Sequence, residues 1–372
     1  MKKILILTST RADYGKLKSI IVSLQKIKKF KTHVLVTGMH NLKFYGHTYI
    51  EIIKDKIKNT HFIKNQNYGE KPIKIFENTI KTSRKLIDKI KPELILVHGD
   101  RIEPLALAVV ANLKNIKLGH FEGGEVSGTL DESIRHSITK LSHLHFVTNQ
   151  KAKKRIIQLG EDSKNIFIIG SPDVDLILNK NLPEIDLVKK KYQLPYKNFA
   201  LAIMHPVSTD NEVKQKKNSQ IFFEALKKTN MNYIVIYPNN DFGSRYIFND
   251  ISKLKSNKNF KLLPSMRFEY FLTLLKYSKF IIGNSSAGIM EAPYYGTPCI
   301  NVGMRQHNRS RDKNQININF NMNEILLSVK KIKKKNKLIK PFGFSDSNKK
   351  FIKLVKEKRI WNLTNQKYFI DI

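Results

Sequence analysis

Short apolar runs alternate with helical stretches of roughly 10–15 residues almost from end to end of the chain, the pattern of strands covered by crossover helices. Ile4–Thr8 is such a run, followed by a helical pattern over Tyr14–Lys28 and a second run at His33–Val36. Glu93–Val97, Ile116–Phe121, Leu144–Val147 and Ile166–Ile169 continue the series, with helices expected over Arg101–Leu113 and Asp131–Leu141. Gly170-Ser171-Pro172, a Lys-rich helical stretch and the breaker Leu194-Pro195-Tyr196 then interrupt it. The pattern restarts with strands expected at Phe199–Met204, Tyr233–Tyr237, Lys261–Leu263, Phe280–Ile282 and Cys299–Val302. Strands buried on both faces read as continuous apolar runs, so the expected class is α/β with parallel, doubly wound sheets. At 372 residues the chain exceeds what one core usually holds. The expected division is 1–172, 173–350 and a helical segment 351–372 that packs back on the first domain, with the boundary near 172–198.

Composition narrows the function classes. No run approaches the roughly 20 apolar residues of a spanning helix, so no membrane partner is expected. Met1-Lys2-Lys3 before Ile4-Leu5-Ile6-Leu7 imitates a leader, but the apolar run falls short of the roughly 7–15 residues such a segment needs. It reads as a first buried strand. The single Cys299 cannot form an internal disulfide, and a cytoplasmic enzyme is the simple expectation. Basic residues number 67 against 31 acidic, a net charge of +36. The lysines are spread along the chain, densest at Lys330–Lys340, without an aromatic-basic signature or zinc-finger spacing. Charge alone supplies only non-specific attraction, so no nucleic-acid partner is expected, although the basic field would draw in a diphosphate.

In doubly wound sheets, ligands bind outside the carboxyl ends of the strands, and the polar constellations fall there. Thr8-Ser9-Thr10-Arg11-Ala12-Asp13 follows the first strand and opens a helix, where free amides and Arg11 would suit a phosphate. An ordinary N-cap is the plain alternative. No Gly-x-Gly-x-x-Gly is present, which speaks against a nicotinamide cofactor. His98-Gly99-Asp100-Arg101 puts Asp100 at a strand end, facing the crevice or capping the next helix. In His120-Phe121-Glu122-Gly123-Gly124-Glu125, Glu122 ends a strand before glycines that would let a ligand approach the backbone. Asp131 and Glu132 start a helix, and Arg135, four residues after Asp131, invites an intrahelical ion pair. Carboxylates converging from these stretches would raise one another's pKa and supply proton donors and acceptors.

The second half offers His205 after its first strand, either a phosphate donor or a structural histidine. Gly283-Asn284-Ser285-Ser286-Ala287 is a candidate diphosphate seat at a helix start, with Glu291 further along positioned to accept from ribose hydroxyls. N-capping by Asn284 or Ser285 and a solvated Glu291 are the alternative. Tyr237-Pro238-Asn239-Asn240-Asp241 and the aromatics Phe268, Tyr270 and Phe271 are candidates to flank a base, or core. Cys299 reads as a small buried residue.

These blocks, in this order, resemble the hydrolysing UDP-N-acetylglucosamine 2-epimerases of bacterial sialic acid biosynthesis. The matching stretches include TSTRADYGKLK, VTGMH, ELILVHGDRIEPLALA, GHFEGGEVSGTLDESIRHSITKLSH, IIGSPD, MHP, IVIYPNND, PSMRFEYF and IIGNSSAGIMEAP, spanning nearly the whole chain. The resemblance implies a GT-B architecture, two Rossmann-like domains whose parallel sheets face an interdomain cleft. It implies catalytic acids at Asp100, Glu122 and Asp131, and nucleotide contacts at Arg11, His205, Ser285, Ser286 and Glu291, with further contacts at Asn239, Phe268 and Arg135. It implies a small-molecule nucleotide sugar as partner, a homodimer or homotetramer, no required cofactor and no metal ligand, a divalent cation acting at most as a stimulant. Non-hydrolysing relatives carry His-x-Glu-Ala-Gly-Leu-Arg where this chain has His120-Phe-Glu-Gly-Gly-Glu-Val, a departure that favours the hydrolysing branch. Cousins acting on a diacetamido-trideoxy sugar nucleotide share the matched residues. In the expected reaction UDP leaves C1 as a carboxylate takes the C2 proton, Asp100 or Asp131 serving C2 and Glu122 lying near C1 or C2.

Overall fold

The computed structural model describes residues 1–178, 181–306, 309, 315–332, 338–340 and 346–371. Residues 333–337 of the dense basic run lie outside the described residues. The chain divides into two compact units, Met1–Glu125 with Asp131–Leu176 and Phe342–Ile372, and Val126–Leu130 with Ile177–Pro341.

The first unit holds a seven-stranded sheet built of β1 (Lys2–Thr8), β2 (Phe30–Val36), β3 (Thr60–Phe62), β4 (Leu94–His98), β5 (Lys117–Phe121), β6 (Leu144–Val147) and β7 (Ile166–Ile168). All pairings are parallel, in the order β3-β2-β1-β4-β5-β6-β7. Strand alternation sends Ile4 and Ile6 into one core with Leu17, Ile20 and Leu24 of the helix Arg11–Gln25. Leu5 and Leu7 enter the opposite core with Leu86 and Leu107, from the helices Pro72–Ile90 and Ile102–Leu113. The C-terminal helices Ser347–Val355 and Lys358–Asn362 add Phe351, Val355 and Ile360 to the first of these cores.

The second unit holds β8 (Ala200–Ile203), β9 (Tyr233–Ile236), β10 (Phe260–Leu263), β11 (Ile281–Gly283), β12 (Cys299–Val302) and β13 (Gln315–Ile318). They run parallel in the order β10-β9-β8-β11-β12-β13. Each sheet therefore reverses its winding once, between β1 and β4 in the first and between β8 and β11 in the second. At such a switch point the following loops diverge to opposite faces and leave an opening beyond the strand ends.

Two departures from the sequence expectation have local causes. The first helix begins at Arg11 rather than Tyr14, because Thr10 and Asp13 form a reciprocal capping box. The edge strands β3 and β13 were not expected, since one is three residues long and the other is partly exposed polar-apolar alternation.

Candidate active site

At the first switch point, Asp13 governs the loop after β1. Its carboxylate accepts from the Ser9 amide at 2.9 Å, the Thr10 amide at 3.0 Å and the Thr8 hydroxyl at 2.5 Å. The amide seat expected for a phosphate is thus occupied at Ser9 and Thr10 by the chain's own carboxylate, a correction to the sequence reading. His40, with its ring nitrogens on Thr8 at 3.0 Å and Thr48 at 2.8 Å, backs the loop. Burial pushes its pKa down to about 4. Arg11 projects to Glu51, 2.7 Å away.

Beyond β4, Asp100 does not cap the following helix. Arg101 occupies the N-cap position and makes no side-chain cap bond. The Asp100 carboxylate instead pairs with Arg135, whose side chain is 1% exposed. Arg135 also donates to the Glu125 carbonyl at 3.2 Å and approaches Glu132 at 3.4 Å. Burial opposes its charge, but Asp100, Glu132 and Asp131 together outweigh it and raise its pKa. Arg135 thus binds Asp100 and Glu132 and lies within electrostatic reach of Asp131. Within its own helix Arg135 pairs with Glu132, three residues back.

Beyond β5, Glu122 continues the ladder through its amide, which donates to the Phe146 carbonyl at 3.0 Å. Its φ of +62° lies in the left-handed region that side-chain-bearing residues avoid. Such strain persists where surroundings over-determine it, commonly at functional sites. The surroundings here are Ser171, whose hydroxyl donates at 2.5 Å, and His98, whose Nε2 lies 3.2 Å away. Burial would raise the Glu122 carboxyl, yet Lys16, His98 and the Ser171 hydrogen bond hold it well below the usual carboxylate range. His98 moves the opposite way: burial disfavours its charge, but Glu122 raises its pKa.

The mutual elevation expected among the three acids is therefore not what Glu122 experiences. The carboxyl that rises is Asp173, to about 6, driven by burial and then by Glu122 against the pull of Lys16 and His98. Lys16, His98, Ser171 and Asp173 were missing from the set of site residues drawn from the sequence. His98 stands two residues before Asp100, and Gly170-Ser171-Pro172 marks an interruption and, with Asp173, a matching stretch, but neither stretch by itself gives these side chains a role. A second correction concerns Gly123 and Gly124. A Cβ on Gly124 would sit 2.4 Å from the Ala152 carbonyl, and one on Gly123 would sit 2.8 Å from the Thr139 hydroxyl. These glycines admit neighbouring helices rather than a ligand.

At the second switch point the loops after β8 and β11 meet through His205 and Asn284. His205, 9% exposed, follows β8 and is clamped by Asn284 after β11. Asn284 accepts from the His205 amide at 2.7 Å and donates to the His205 carbonyl at 2.8 Å. The His205 ring Nδ1 accepts the Asn239 amide at 3.3 Å, so in the neutral ring the proton sits on Nε2 as a donor. Arg305 and Gln306 both donate to the Asn284 carbonyl, at 3.3 and 3.1 Å.

Neither Asn284 nor Ser285 is the N-cap; that position is Ser286, while the Ser285 hydroxyl accepts from the Ala287 amide at 3.3 Å. The helix expected to run through Glu291 is only Ala287–Met290, and a 3-10 turn follows at Ala292–Tyr295. Pro293 ends the regular hydrogen bonding early. A dipole of one turn is small, so an anion here would rely on hydroxyls and His205 rather than on a long helix. Glu291 is buried, not solvated, and its charge adds to burial in raising the Tyr295 hydroxyl pKa. Phe268 is also buried, its ring stacked on Phe271 with centroids 6.2 Å apart. Cys299 is buried against Gly288, where a Cβ would meet its sulfur at 2.4 Å.

Among the described residues, no helix is long and apolar enough to cross a membrane, and no group of three or more His, Cys, Asp or Glu could hold a metal ion. Two parallel sheets, each with its polar residues gathered beyond one reversal of winding, define an α/β protein of the GT-B class. Within that class the chain belongs to the UDP-N-acetylglucosamine 2-epimerase family, which residues 22–356 match. It is 43% identical to a UDP-N-acetylglucosamine 2-epimerase of Neisseria meningitidis serogroup B, with the whole of both chains covered. It is 35% identical to a hydrolysing GDP/UDP-N,N'-diacetylbacillosamine 2-epimerase of Campylobacter jejuni, over 86% of this chain and 85% of that one. The fold is that of the Methanocaldococcus jannaschii UDP-GlcNAc 2-epimerase crystallised with UDP-GlcNAc and UDP, at a TM-score of 0.80 and 23% identity, covering 95% and 99% of the two chains.

Proposed function

We propose that this protein is a hydrolysing UDP-N-acetylglucosamine 2-epimerase that forms N-acetylmannosamine and UDP for sialic acid synthesis. The observation that carries the reading is Glu122, a buried carboxylate held ionised in a left-handed backbone conformation beside His98. A strained, pre-ionised acid in a family of 2-epimerases is suited to proton transfer at a sugar carbon. The C2 proton is too weakly acidic for direct removal. Departure of UDP with the C1–O bonding pair makes C1 cation-like, so a carboxylate takes the C2 proton as the C1–C2 double bond of 2-acetamidoglucal forms. Water then adds its oxygen to C1 and gives up its second proton to a carboxylate, while C2 is protonated on the opposite face. Asp100, Glu122 and Asp131 are assigned these transfers. His205, through its Nε2–H, with Ser285 and Ser286, is assigned to the diphosphate, Glu291 to ribose hydroxyls, and Arg11 to the developing negative charge.

The hydrolysing branch is supported by the His120-Phe-Glu-Gly-Gly-Glu-Val loop. A second substrate, a UDP- or GDP-linked N,N'-diacetylbacillosamine, is favoured by relatives of that description at 32% and 35% identity. Incubation with each sugar nucleotide in deuterated water separates the readings. The expected outcome with UDP-N-acetylglucosamine is free UDP and free N-acetylmannosamine carrying deuterium at C2. Epimerised sugar still joined to UDP would sink the hydrolytic reading, and turnover confined to the bacillosamine nucleotides would replace the substrate.

A further inference from the structure

Four polar side chains, Lys16, His98, Ser171 and Asp173, meet around Glu122, and Asp173 has no place in the reaction just described. Asp173, 1% exposed, follows β7 in the short helix Pro172–Ile177. Its Oδ2 lies 2.5 Å from Nζ of Lys16, which projects from the helix Arg11–Gln25. Its amide donates at 3.3 Å to the Ser171 hydroxyl, the group that donates in turn to Glu122. His98, at the end of β4, closes the other side of Glu122 at 3.2 Å. Two carboxylates, an ammonium and an imidazole thus share one buried space, and the groups facing Asp173 are Lys16, Glu122 and His98.

A buried ion pair gains little stability over apolar groups of similar volume, so stability alone does not account for this one. The charge balance shows what it serves. With Asp173 ionised, Lys16 has its own carboxylate partner. With Asp173 neutral, Lys16 and His98, which already stabilise the ionised Glu122, lose the competing anion, and a carboxylate so stabilised is a still poorer proton acceptor. We propose that Asp173 is a positioning residue for Glu122 that acts through Lys16, holding the ammonium on itself so that Glu122 remains able to take up a proton. The inference rests on the reading that Glu122 touches the sugar nucleotide.

The test follows UDP release and C2 deuteration in deuterated buffers from acid to neutral, on the sugar nucleotide that the wild type turns over. Because the Asp173 carboxyl lies near 6, wild-type kcat should fall about tenfold as pH drops through that value and Asp173 protonates. Asp173→Asn should have the low rate at every pH, without that limb, and a KM within about threefold of wild type. Asp173→Glu should recover part of the rate and the limb. In a Lys16→Gln background, Asp173→Asn should add nothing, the coupling expected of residues acting as a unit. Wild-type kcat and an unchanged limb in Asp173→Asn overturn the proposal, as does its full effect persisting without Lys16 or a rise in KM alone. Should Asp173→Asn not fold, Lys16→Gln decides alone: loss of the limb supports the proposal and its retention overturns it. Glu122→Gln separates the two levels. If that variant turns over like wild type, the reading of Glu122 itself is wrong; if it is inactive, any failure above belongs to Asp173.

Discussion

The two sheets share one winding and differ in what they put at the switch point. The first gathers ionisable groups: Asp100 on Arg135, and Glu122 among His98, Lys16 and Asp173. The second gathers directional hydrogen-bonding groups: Asn284 clamped on His205, the hydroxyls of Ser285 and Ser286, and the Arg305 guanidinium on the Asn284 carbonyl. Charges of both signs in a buried space are expensive, and their use lies in moving protons. Neutral groups with fixed directions are cheap to bury when satisfied, and their use lies in recognition. On the proposed reading, chemistry would belong to the first unit and grip to the second, a division that can be attacked at both ends.

The largest effect is expected in the first unit. Glu122→Gln keeps the Ser171 hydrogen bond and the shape but removes the proton acceptor, so kcat should fall by about 10²–10⁴-fold. UDP affinity, measured by calorimetry, should stay within about threefold if recognition belongs to the second unit. A parallel loss of UDP affinity would erase the division of labour.

The next effect belongs to the second unit and is one of stability. Asn284 is fully buried and satisfies both backbone groups of His205. Asn284→Ala leaves a buried N–H and C=O without those partners, at a cost of about 2–4 kcal/mol in denaturant unfolding. Asn284→Asp should be no milder, because a carboxylate oxygen would then face the His205 carbonyl. A loss below about 0.5 kcal/mol for the alanine variant would mean that water replaces the clamp.

Acid sharpens the comparison further. His40 and His120 are both buried in the first unit, where burial holds them near 4 and 3 against an ordinary 6.5. Their folded pKa values are depressed, so the unfolded chain binds protons first as pH falls below 6.5. Stability is therefore intact above that pH and is lost on acidification, levelling off below the folded values. By pH 5 each should cost about 2 kcal/mol. The only tryptophan, Trp361, packs against Phe30 in the first unit, so its emission reports that unit alone. The urea midpoint of its emission should drop between pH 7 and 5. His40→Gln, which keeps a neutral polar group in place, should flatten the slope.

How much of this was legible in the sequence follows from where each signal is stored. The strands of both sheets showed because a strand buried on two faces needs a run such as Leu94-Ile95-Leu96-Val97, and chain order does the rest. Asp100, Glu122 and Asp131 were singled out from strand-end position and motif, which are local. The ion pairs around them were not legible, since Lys16 and Asp173 are far apart in the chain and meet only through the order of β1, β5 and β7. Between a phosphate seat and an ordinary cap after β1 the sequence leaves both open, because a capping residue and a phosphate ask the same of a loop; the structure shows the cap, made by Thr10 and Asp13. Gly123 and Gly124 misled for a similar reason: glycine marks a close approach without saying whether a ligand or a helix approaches.

The smallest effect tests whether the C-terminal tail is an independent prop of the first unit's core. The helix Ser347–Val355 lacks an N-cap bond from its own Asp346, whose φ of +86° turns the side chain to no such use. Asp175 supplies the cap from elsewhere, accepting from the Ser347 amide at 3.1 Å, the Ser347 hydroxyl at 2.6 Å and the Asn348 amide at 3.0 Å. A carboxylate on those amides also meets the positive end of the helix. Asp175→Ala should cost about 1–2 kcal/mol, and Asp175→Asn about half of that, because an amide oxygen still accepts without the charge. Trp361 lies just beyond this helix, so fraying of the tail should shift its emission before the sheet unfolds. If emission and far-UV circular dichroism instead move together in Asp175→Ala, the tail and the seven-stranded sheet form one cooperative unit, and the cap is a part of that core rather than a separate fastening.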